Sequence, residues 1–314
     1  MECRKKTSSD WRSPEQGDKV SKLFELLFIS GLKGVGKKTI HRKYLSAVRR
    51  CEDINDLRCN YLPGIKAFTE KETDDALEKA KAEFDRIDSA ANVDVVTILD
   101  EHYPDRLRSL EEKAPLILYM KGDTSSISLP SAAIVGTRKP SGYSVLVEQN
   151  LVSKIIELSG RVIISGLATG CDTIAHETAL KAGGKTLAVL PSGVENVMPA
   201  QNRRLAAEII ENGGCLVSEY PIQAEAYRGT FIERDGLIAA LSDLIVVIEC
   251  GVKSGTMHTV NAAALLNKPI ACFSPDDLSR GSYEGNLFMV RELNAISLNN
   301  TIDLERALNL INAK

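Results

Sequence analysis

The sequence has no apolar run approaching the roughly 18 residues that a membrane span requires, and its polar start, MECRKKTSSDWRSPEQ, lacks the apolar core of a secretory signal. The expected address is the cytoplasm, with no membrane partner. Aromatic residues make up only 5% of the chain, so any surface for stacking bases must be built from a few rings. No Cys-x-x-Cys pair occurs among the seven cysteines (Cys3, Cys51, Cys59, Cys171, Cys215, Cys250 and Cys272). They are odd in number and scattered mostly through apolar runs, which reads as reduced, mostly buried thiols rather than a disulfide framework. The histidines, His41, His102, His176 and His258, stand too far apart for a local metal-ligand pattern; neither metal nor cofactor is expected. An excess of one charge is also missing. A net charge of −3 neither selects nor excludes nucleic acid, because binders can confine their positive charge to one face.

What is present is an ordinary globular composition, 44% hydrophobic and 26% charged over 314 residues, enough for one large domain or two unequal ones. Residues 1–19 are polar without an apolar period and read as a mobile tail. Residues 20–90 carry apolar positions at helical spacing, punctuated by Gly31, Gly34, Gly36 and the Pro63-Gly64 pair, and read as a small helical domain. Residues 91–130 read as a linker and an edge strand, Leu116 to Met120, ending at Gly122-Asp123. From 131 to 314, apolar runs end repeatedly at glycine and alternate with helical stretches: Ala132–Val135, Val162–Ile164, Thr186–Leu190, Cys215–Val217, Leu244–Ile248 and Pro269–Phe273. Continuous apolar strands imply burial on both faces, and strand–helix alternation implies right-handed crossovers. The expected class is α/β, an extended Rossmann-like, doubly wound and mostly parallel sheet, closed by the amphipathic helix DLERALNLINAK.

In such sheets ligands bind beyond the carboxyl ends of the strands, where helix amino termini offer backbone N–H groups. One end reads Gly136-Thr137-Arg138-Lys139: glycine for close approach, a hydroxyl donor, and a guanidinium for bidentate grip of phosphate. An ordinary strand-to-helix turn with an exposed arginine is the other reading. A second end runs from Ser165 through Gly166 and Gly170 to Asp172, followed by His176. Its spaced glycines suit a loop wrapped round an anion, although Asp172 or Thr173 could serve as a helix cap and His176 as a packing residue. Pro191-Ser192-Gly193 and Ser218-Glu219-Tyr220-Pro221 continue the row. The most informative end is Lys253-Ser254-Gly255-Thr256, where charge, hydroxyls and an amide would converge at a helix start, without the spacing of the ATP-binding Gly-x-x-x-x-Gly-Lys-Ser/Thr loop.

Together these segments resemble the DNA-processing protein A (DprA/Smf) family, through HYPDRL, LILYMKGD, VGTRKPSGYS, SGLATGCDTIAHETAL, KTLAVLPSGVENV, LVSEYP and SGTMHTVNAA, over roughly Tyr103 to Leu298. The resemblance implies an extended Rossmann fold that binds single-stranded DNA, forms a homodimer and helps load a RecA-type recombinase in DNA uptake and recombination, with no established catalytic reaction. It places Gly136, Arg138, Ser165, Gly166, Asp172, His176, Lys253, Ser254 and Gly255 in the pocket. One departure from the family pattern follows Phe231. An Arg-Asn-Arg run is replaced by Arg234-Asp235-Gly236, which removes a cation and adds an anion. Another sets Met198 where a tyrosine commonly precedes Pro199, removing a stacking ring. The segment LFELLFISGLKGVGKKTIHRKYL resembles a helix-hairpin-helix, in which Gly34 and Gly36 would present backbone amides to a phosphate while Lys37 and Lys38, with Arg42 and Lys43, supply charge; a plain turn between two packing helices is the alternative. The winged-helix module that many relatives carry at the carboxy terminus is expected to be absent.

Three functions follow. A non-catalytic, sequence-tolerant single-stranded DNA binder acting with a recombinase comes first, resting on the motif series. A nucleotide-ligand sensor using the same pocket is the alternative. An enzyme similar to nucleoside-monophosphate phosphoribohydrolases is the third; those carry a glutamate where this chain has Thr259, which leaves Glu219 and Glu249 as candidate groups.

Overall fold

A computed structural model describes residues 14–45, 68–275 and 281–312. The first thirteen residues of the expected tail, the Pro63-Gly64 turn, Cys3, Cys51 and Cys59 lie outside the described residues. The chain divides into two compact units, one holding residues 1–89, 96–103 and 115–117, the other 90–95, 104–114 and 118–314.

In the first unit the described residues up to Ser89 form three helices, α1 (Pro14–Gly31), α2 (Lys37–Lys43) and α3 (Glu70–Ser89). Helix α1, as described, overlaps the expected tail over residues 14–19. It packs on α3, with Phe24 set edge-on to Phe84 at 5.9 Å and Gly31 held against Ala76. Before α3, Thr69 and Glu72 cap each other: the Thr69 amide donates to Glu72 Oε2 at 3.0 Å, and the Glu72 amide donates to Thr69 Oγ1 at 3.2 Å. Gly34 turns the chain between α1 and α2 at φ +85°, a conformation that favours glycine, above buried Val35 and Ile40.

Nine strands form the sheet: β1 (Val93–Thr97), β2 (Ile117–Gly122), β3 (Ser131–Val135), β4 (Val162–Ser165), β5 (Thr186–Val189), β6 (Cys215–Ser218), β7 (Leu244–Val247), β8 (Ile270–Phe273) and β9 (Ile296–Leu298). Their order is β1-β2-β6-β5-β4-β3-β7-β8-β9. Every registered pair from β6 through β9 is parallel, while β2 runs antiparallel to β6, with Tyr119 opposite Ser218. This is the α/β, doubly wound, mostly parallel class expected. All six expected α/β strands are present, and β3 to β8 are buried along their whole length, as two covered faces require. One expectation is corrected: Leu116–Met120 does not form the sheet's edge, because β1 lies outside β2. Beyond the expected strands, β9, three residues long, closes the opposite edge.

Helices α5 (Gly142–Ser159), α6 (Cys171–Lys181) and α11 (Thr301–Asn312) share a core with the sheet in which Ala132, Ile134, Ile163 and Val246 meet Val152, Ile155, Ala175, Leu304 and Leu308. Helix α8 (Arg228–Leu241) packs over β3, β4 and β5 and against α9 (Thr256–Leu265). The PDRL segment, a single helical turn α4 (Asp105–Arg108), is a clamp at the amino ends of β3 and β7. Arg106 Nη1 donates to the carbonyls of Leu241 (2.9 Å) and Leu129 (3.2 Å) and to Ser131 Oγ (3.1 Å), while its Nη2 pairs with Asp243 at 3.0 Å. Asp243 also accepts from the Ser131 amide at 2.9 Å and from Arg161 at 3.0 Å. Part of the HYPDRL segment thus serves architecture. Replacing Arg106 with alanine removes its bonds to the Leu129 and Leu241 carbonyls, the Ser131 hydroxyl and Asp243, and should cost about 2 kcal/mol. That is a fall of roughly 4–8 °C in the melting temperature, to be read by differential scanning fluorimetry, with no loss of ligand affinity in the surviving folded protein.

Glu148 of α5 is fully buried, and neither carboxyl oxygen has a hydrogen-bond partner. Burial pushes its carboxyl up to about 9; the adjacent Cys171 thiol offsets part of that and Asp172 adds to it. The folded protein therefore holds a proton that the unfolded chain releases near 4.5, so this stabilisation is complete at pH values below 4.5 and is lost as pH rises towards 9. Urea midpoints followed across that interval should decline in the wild type and decline less in Glu148→Gln; parallel declines would assign the effect to other groups.

Candidate functional site

Strand order reverses at β3: the chain leaves it for β4, β5 and β6, then returns through α8 to β7 on its other side. Such a switch point leaves a crevice at the carboxyl ends of the strands. Here the crevice is a cleft of about 700 Å³, lined by Gly136, Thr137 and Arg138 after β3, Ala168 and Asp172 after β4, Ser254, Gly255, Thr256, His258 and Thr259 after β7, and Arg228, Phe231, Ile232, Arg234, Asp235 and Ile238 of α8.

Gly136 is glycine because a Cβ there would overlap the Cys171 thiol at the start of α6. Its carbonyl accepts from Thr256 Oγ1 at 3.0 Å and the Thr137 amide donates to the Glu249 carbonyl at 2.8 Å, so the loops after β3 and β7 are tied together. The Thr137 carbonyl accepts the Cys171 amide at 3.1 Å, and Gly170, at φ +80°, lies where any Cβ would strike the backbone of Thr137 and Arg138. Leu167 adopts φ +58° without being glycine, a strained geometry held by its burial and by Asn202, whose Nδ2 donates to the Leu167 carbonyl at 2.9 Å and to Thr173 Oγ1 at 2.8 Å.

Arg234 forms the floor. Its side chain is 6% exposed and lies directly on Gly166, in the space a Cβ would occupy. Its Nη1 stands 3.6 Å from Asp172 Oδ2 and its Nε 3.3 Å from Asp235 Oδ1. Asp172 also accepts the Ala168 amide at 3.2 Å. Burial pushes the Asp235 carboxyl up to about 6, with Arg234 pulling it back and Asp172 raising it further; His258 and Arg138 lower it. At the rim, the exposed guanidinium of Arg138 sits 5.6 Å from the centre of the Phe231 ring, a cation–π contact that holds it over the opening. Across the lining, Arg138, Arg228 and Arg234 face Asp172 and Asp235, a formal balance of +1 with His258 neutral.

The structure brings Gly136, Thr137, Arg138, Asp172, Arg234, Ser254, Gly255 and Thr256 together as the sequence suggested. Other expected residues are not in the lining. Ser165 donates its hydroxyl to the Ile134 carbonyl at 2.7 Å inside the sheet. Gly166 is covered by Arg234, and Gly170 is spent on the turn. His176 is fully buried; because Thr186 Oγ1 gives its hydrogen to the Ile163 carbonyl, it accepts from His176 Nδ1 at 2.7 Å, which fixes the tautomer. Burial and then Arg234 push that imidazole down to about 3, so it stays neutral. Lys139 and Lys253 are exposed and outside the lining. Neither Asp172 nor Thr173 acts as the N-cap of α6, a position held by Gly170; Thr173 Oγ1 instead donates to the Ala168 carbonyl at 2.7 Å. In the first unit, Gly34, Lys37 and Lys38 stand at the α1–α2 turn, where Gly36 is the N-cap of α2. Glu249 is no candidate acid or base: its oxygens accept the Ser141 amide (2.8 Å) and the Ser282 amide (3.0 Å). Burial raises its carboxyl, and these bonds with the Ser144 and Ser141 hydroxyls more than reverse that, leaving it below the ordinary range. Sequence reading missed Arg228, Phe231 and His258 as lining groups; the signal available was that α8 must bridge the switch point. Among the described residues no three His, Cys, Asp or Glu converge to hold a metal ion, and no helix is long and apolar enough to cross a membrane.

Comparison with known proteins agrees with this geometry. The family model described as DNA recombination-mediator protein A matches residues 94–309. Protein Smf of Synechocystis is 34% identical over 190 residues, 59% of this chain and 47% of that protein, so the chain spans about half the length of that relative. Among solved structures, DNA processing protein A of Streptococcus pneumoniae superposes with a TM-score of 0.75 at 25% identity, covering 90% of this chain and 97% of that one. DNA processing protein A of Helicobacter pylori, whose structure was described for its single-stranded DNA binding mode, gives 0.60 at 30% identity, covering 70% and 94%. Because the family model matches well over half of its length, the chain belongs to the DNA recombination-mediator protein A family.

Proposed function

We propose that the cleft binds the backbone of single-stranded DNA without reading sequence, and that the protein acts as a homodimer with a RecA-type recombinase in DNA uptake or recombination. The observation that carries the DNA reading is Arg138 held over Phe231 at the mouth of a cleft whose far wall is the start of α9, with Ser254 and Thr256 hydroxyls beside it. A guanidinium and hydroxyl donors suit a phosphodiester, and an adjacent ring face suits an unstacked base; both act on any sequence. The family membership and the Helicobacter pylori protein's single-stranded DNA binding support the same reading. The α1–α2 turn, with Gly34, Gly36, Lys37 and Lys38, would add backbone contacts of the helix-hairpin-helix kind.

The small-nucleotide reading is supported by cleft volume, which lies within the range of small-ligand sites. The two part on one experiment: fluorescence anisotropy of a labelled oligo-dT across a salt series, with duplex and mononucleotide competitors. The expected result is saturable binding that resists duplex and mononucleotide. In Arg138→Ala, affinity should fall about tenfold, the worth of one charge-assisted contact, and the slope of log K against log salt should decrease by about 0.7, one phosphate fewer on a single strand. Binding unchanged in that variant would remove DNA from the cleft, and effective competition by mononucleotide would favour the sensor.

A further inference from the structure

Arg234, the deepest cation of the cleft, is already engaged: its Nε lies 3.3 Å from Asp235 and its Nη1 3.6 Å from Asp172. The two carboxylates differ. Asp172 is pinned by the Ala168 amide at 3.2 Å and its side chain is 11% exposed. Asp235 is next to Arg234 on α8, its side chain is 14% exposed, and it lines the cleft where an anion would approach. An anion entering the cleft must therefore sit beside a carboxylate in a partly desolvated space, where like charges repel more strongly than in water. We infer that Asp235 is the cleft's built-in counter-anion, holding Arg234 until a phosphate arrives, so that tight phosphate binding requires Asp235 to take up a proton.

This rests on the reading that the cleft is a phosphate site. The groups facing Asp235 are Arg234 on its own helix, Asp172 from the start of α6, Arg138 from the loop after β3 and His258 from α9. Burial already holds its carboxyl at about 6, within reach of neutral solution, and a bound phosphate adds negative charge that raises it further. The proton balance follows: well above pH 6 one proton passes from solvent to the Asp235 carboxylate for each anion bound and leaves when the anion leaves, and the uptake shrinks at lower pH, where the carboxyl already holds its proton. Between about pH 5.5 and pH 7.5 the affinity of the wild type should then fall by up to about twentyfold, as one-proton linkage allows. Histidine is the other side-chain type that ordinarily titrates in this interval, so His258 needs its own control.

The test uses two probes whose charge is constant in this range, an oligo-dT and inorganic sulfate, titrated against the full chain as wild type, Asp235→Asn and His258→Gln, by anisotropy and by isothermal calorimetry. The expected result is that near-isosteric D235N binds both probes on the order of tenfold more tightly than wild type at about pH 7.5, and that the two converge at about pH 5.5. H258Q should retain the pH dependence. Weaker binding by D235N, a pH dependence that survives in D235N or vanishes in H258Q, or no binding of either probe by any variant at about pH 5.5, overturns the inference. Oligo-dT binding that ignores residue 235 sinks the counter-anion and leaves the DNA reading intact. Sulfate binding that responds to residue 235 with no oligo-dT binding does the reverse.

Discussion

A buried guanidinium lying on a residue with no side chain organises the functional end of this molecule. Arg234 can reach the floor of the cleft only because position 166 is glycine, and it can stay there only because Asp172 and Asp235 neutralise it. Each partner is in turn fixed to a different element: Asp172 to the loop after β4 through the Ala168 amide, and Asp235 to α8. That loop bends through Leu167 and Gly170 at positive φ and is held by Asn202. Removing Arg234 would leave two buried carboxylates without their cation, at a cost of about 3–5 kcal/mol. The interaction therefore sets the position of α8 over β3 and β4, and with it the place of Phe231 and Arg138 at the mouth.

The same pairing of arginine with aspartate is used at the other end of the sheet for a different purpose. Asp243 collects donors from Arg106, Arg161 and the Ser131 amide, and Arg106 also donates to the Leu129 and Leu241 carbonyls and the Ser131 hydroxyl. Both groups hold one arginine more than aspartate, but at the cleft Arg138 has its charge over a ring rather than on a carboxylate. At one end both arginines reach a carboxylate; at the other Arg138 faces a ring instead. Net charge, at −3 for the whole chain, is blind to that distinction.

The sheet was legible because its central strands are buried on both faces and write themselves as continuous apolar runs: Ala132–Val135 and Leu244–Ile248 coincide with β3 and β7 to within a residue. β1 was missed because VDVVT is short and carries an exposed aspartate, and β9 because three residues give no period. In the cleft, residues next to strand ends were legible from the topology rule, since β3 and β7 must deliver Thr137, Arg138 and Thr256 to the crevice. Side-chain direction was not. Ser165 and His176 share a motif with Asp172, yet both point into the sheet, and only the hydroxyl–carbonyl bonds Ser165–Ile134 and Thr186–Ile163 reveal it. Phe231 and Arg228 lie on α8, far in sequence from the loops they face, and no local pattern announces that meeting.

The near balance of charge in the cleft bears on how it recognises a ligand. Long-range attraction scales with unpaired charge, and a lining at +1 within a chain at −3 provides little of it. Affinity in such a site must come from contacts made at hydrogen-bond distance and from ring stacking, which demand a correctly placed phosphate and an unstacked base together. Duplex DNA keeps its bases stacked and offers phosphate alone; a strand with exposed bases offers both. In the proposed reading, the aspartate that weakens attraction at a distance therefore sharpens the choice at contact, because a ligand that cannot reach Arg138, the α9 hydroxyls and Phe231 at once has nothing to offset the repulsion of Asp235.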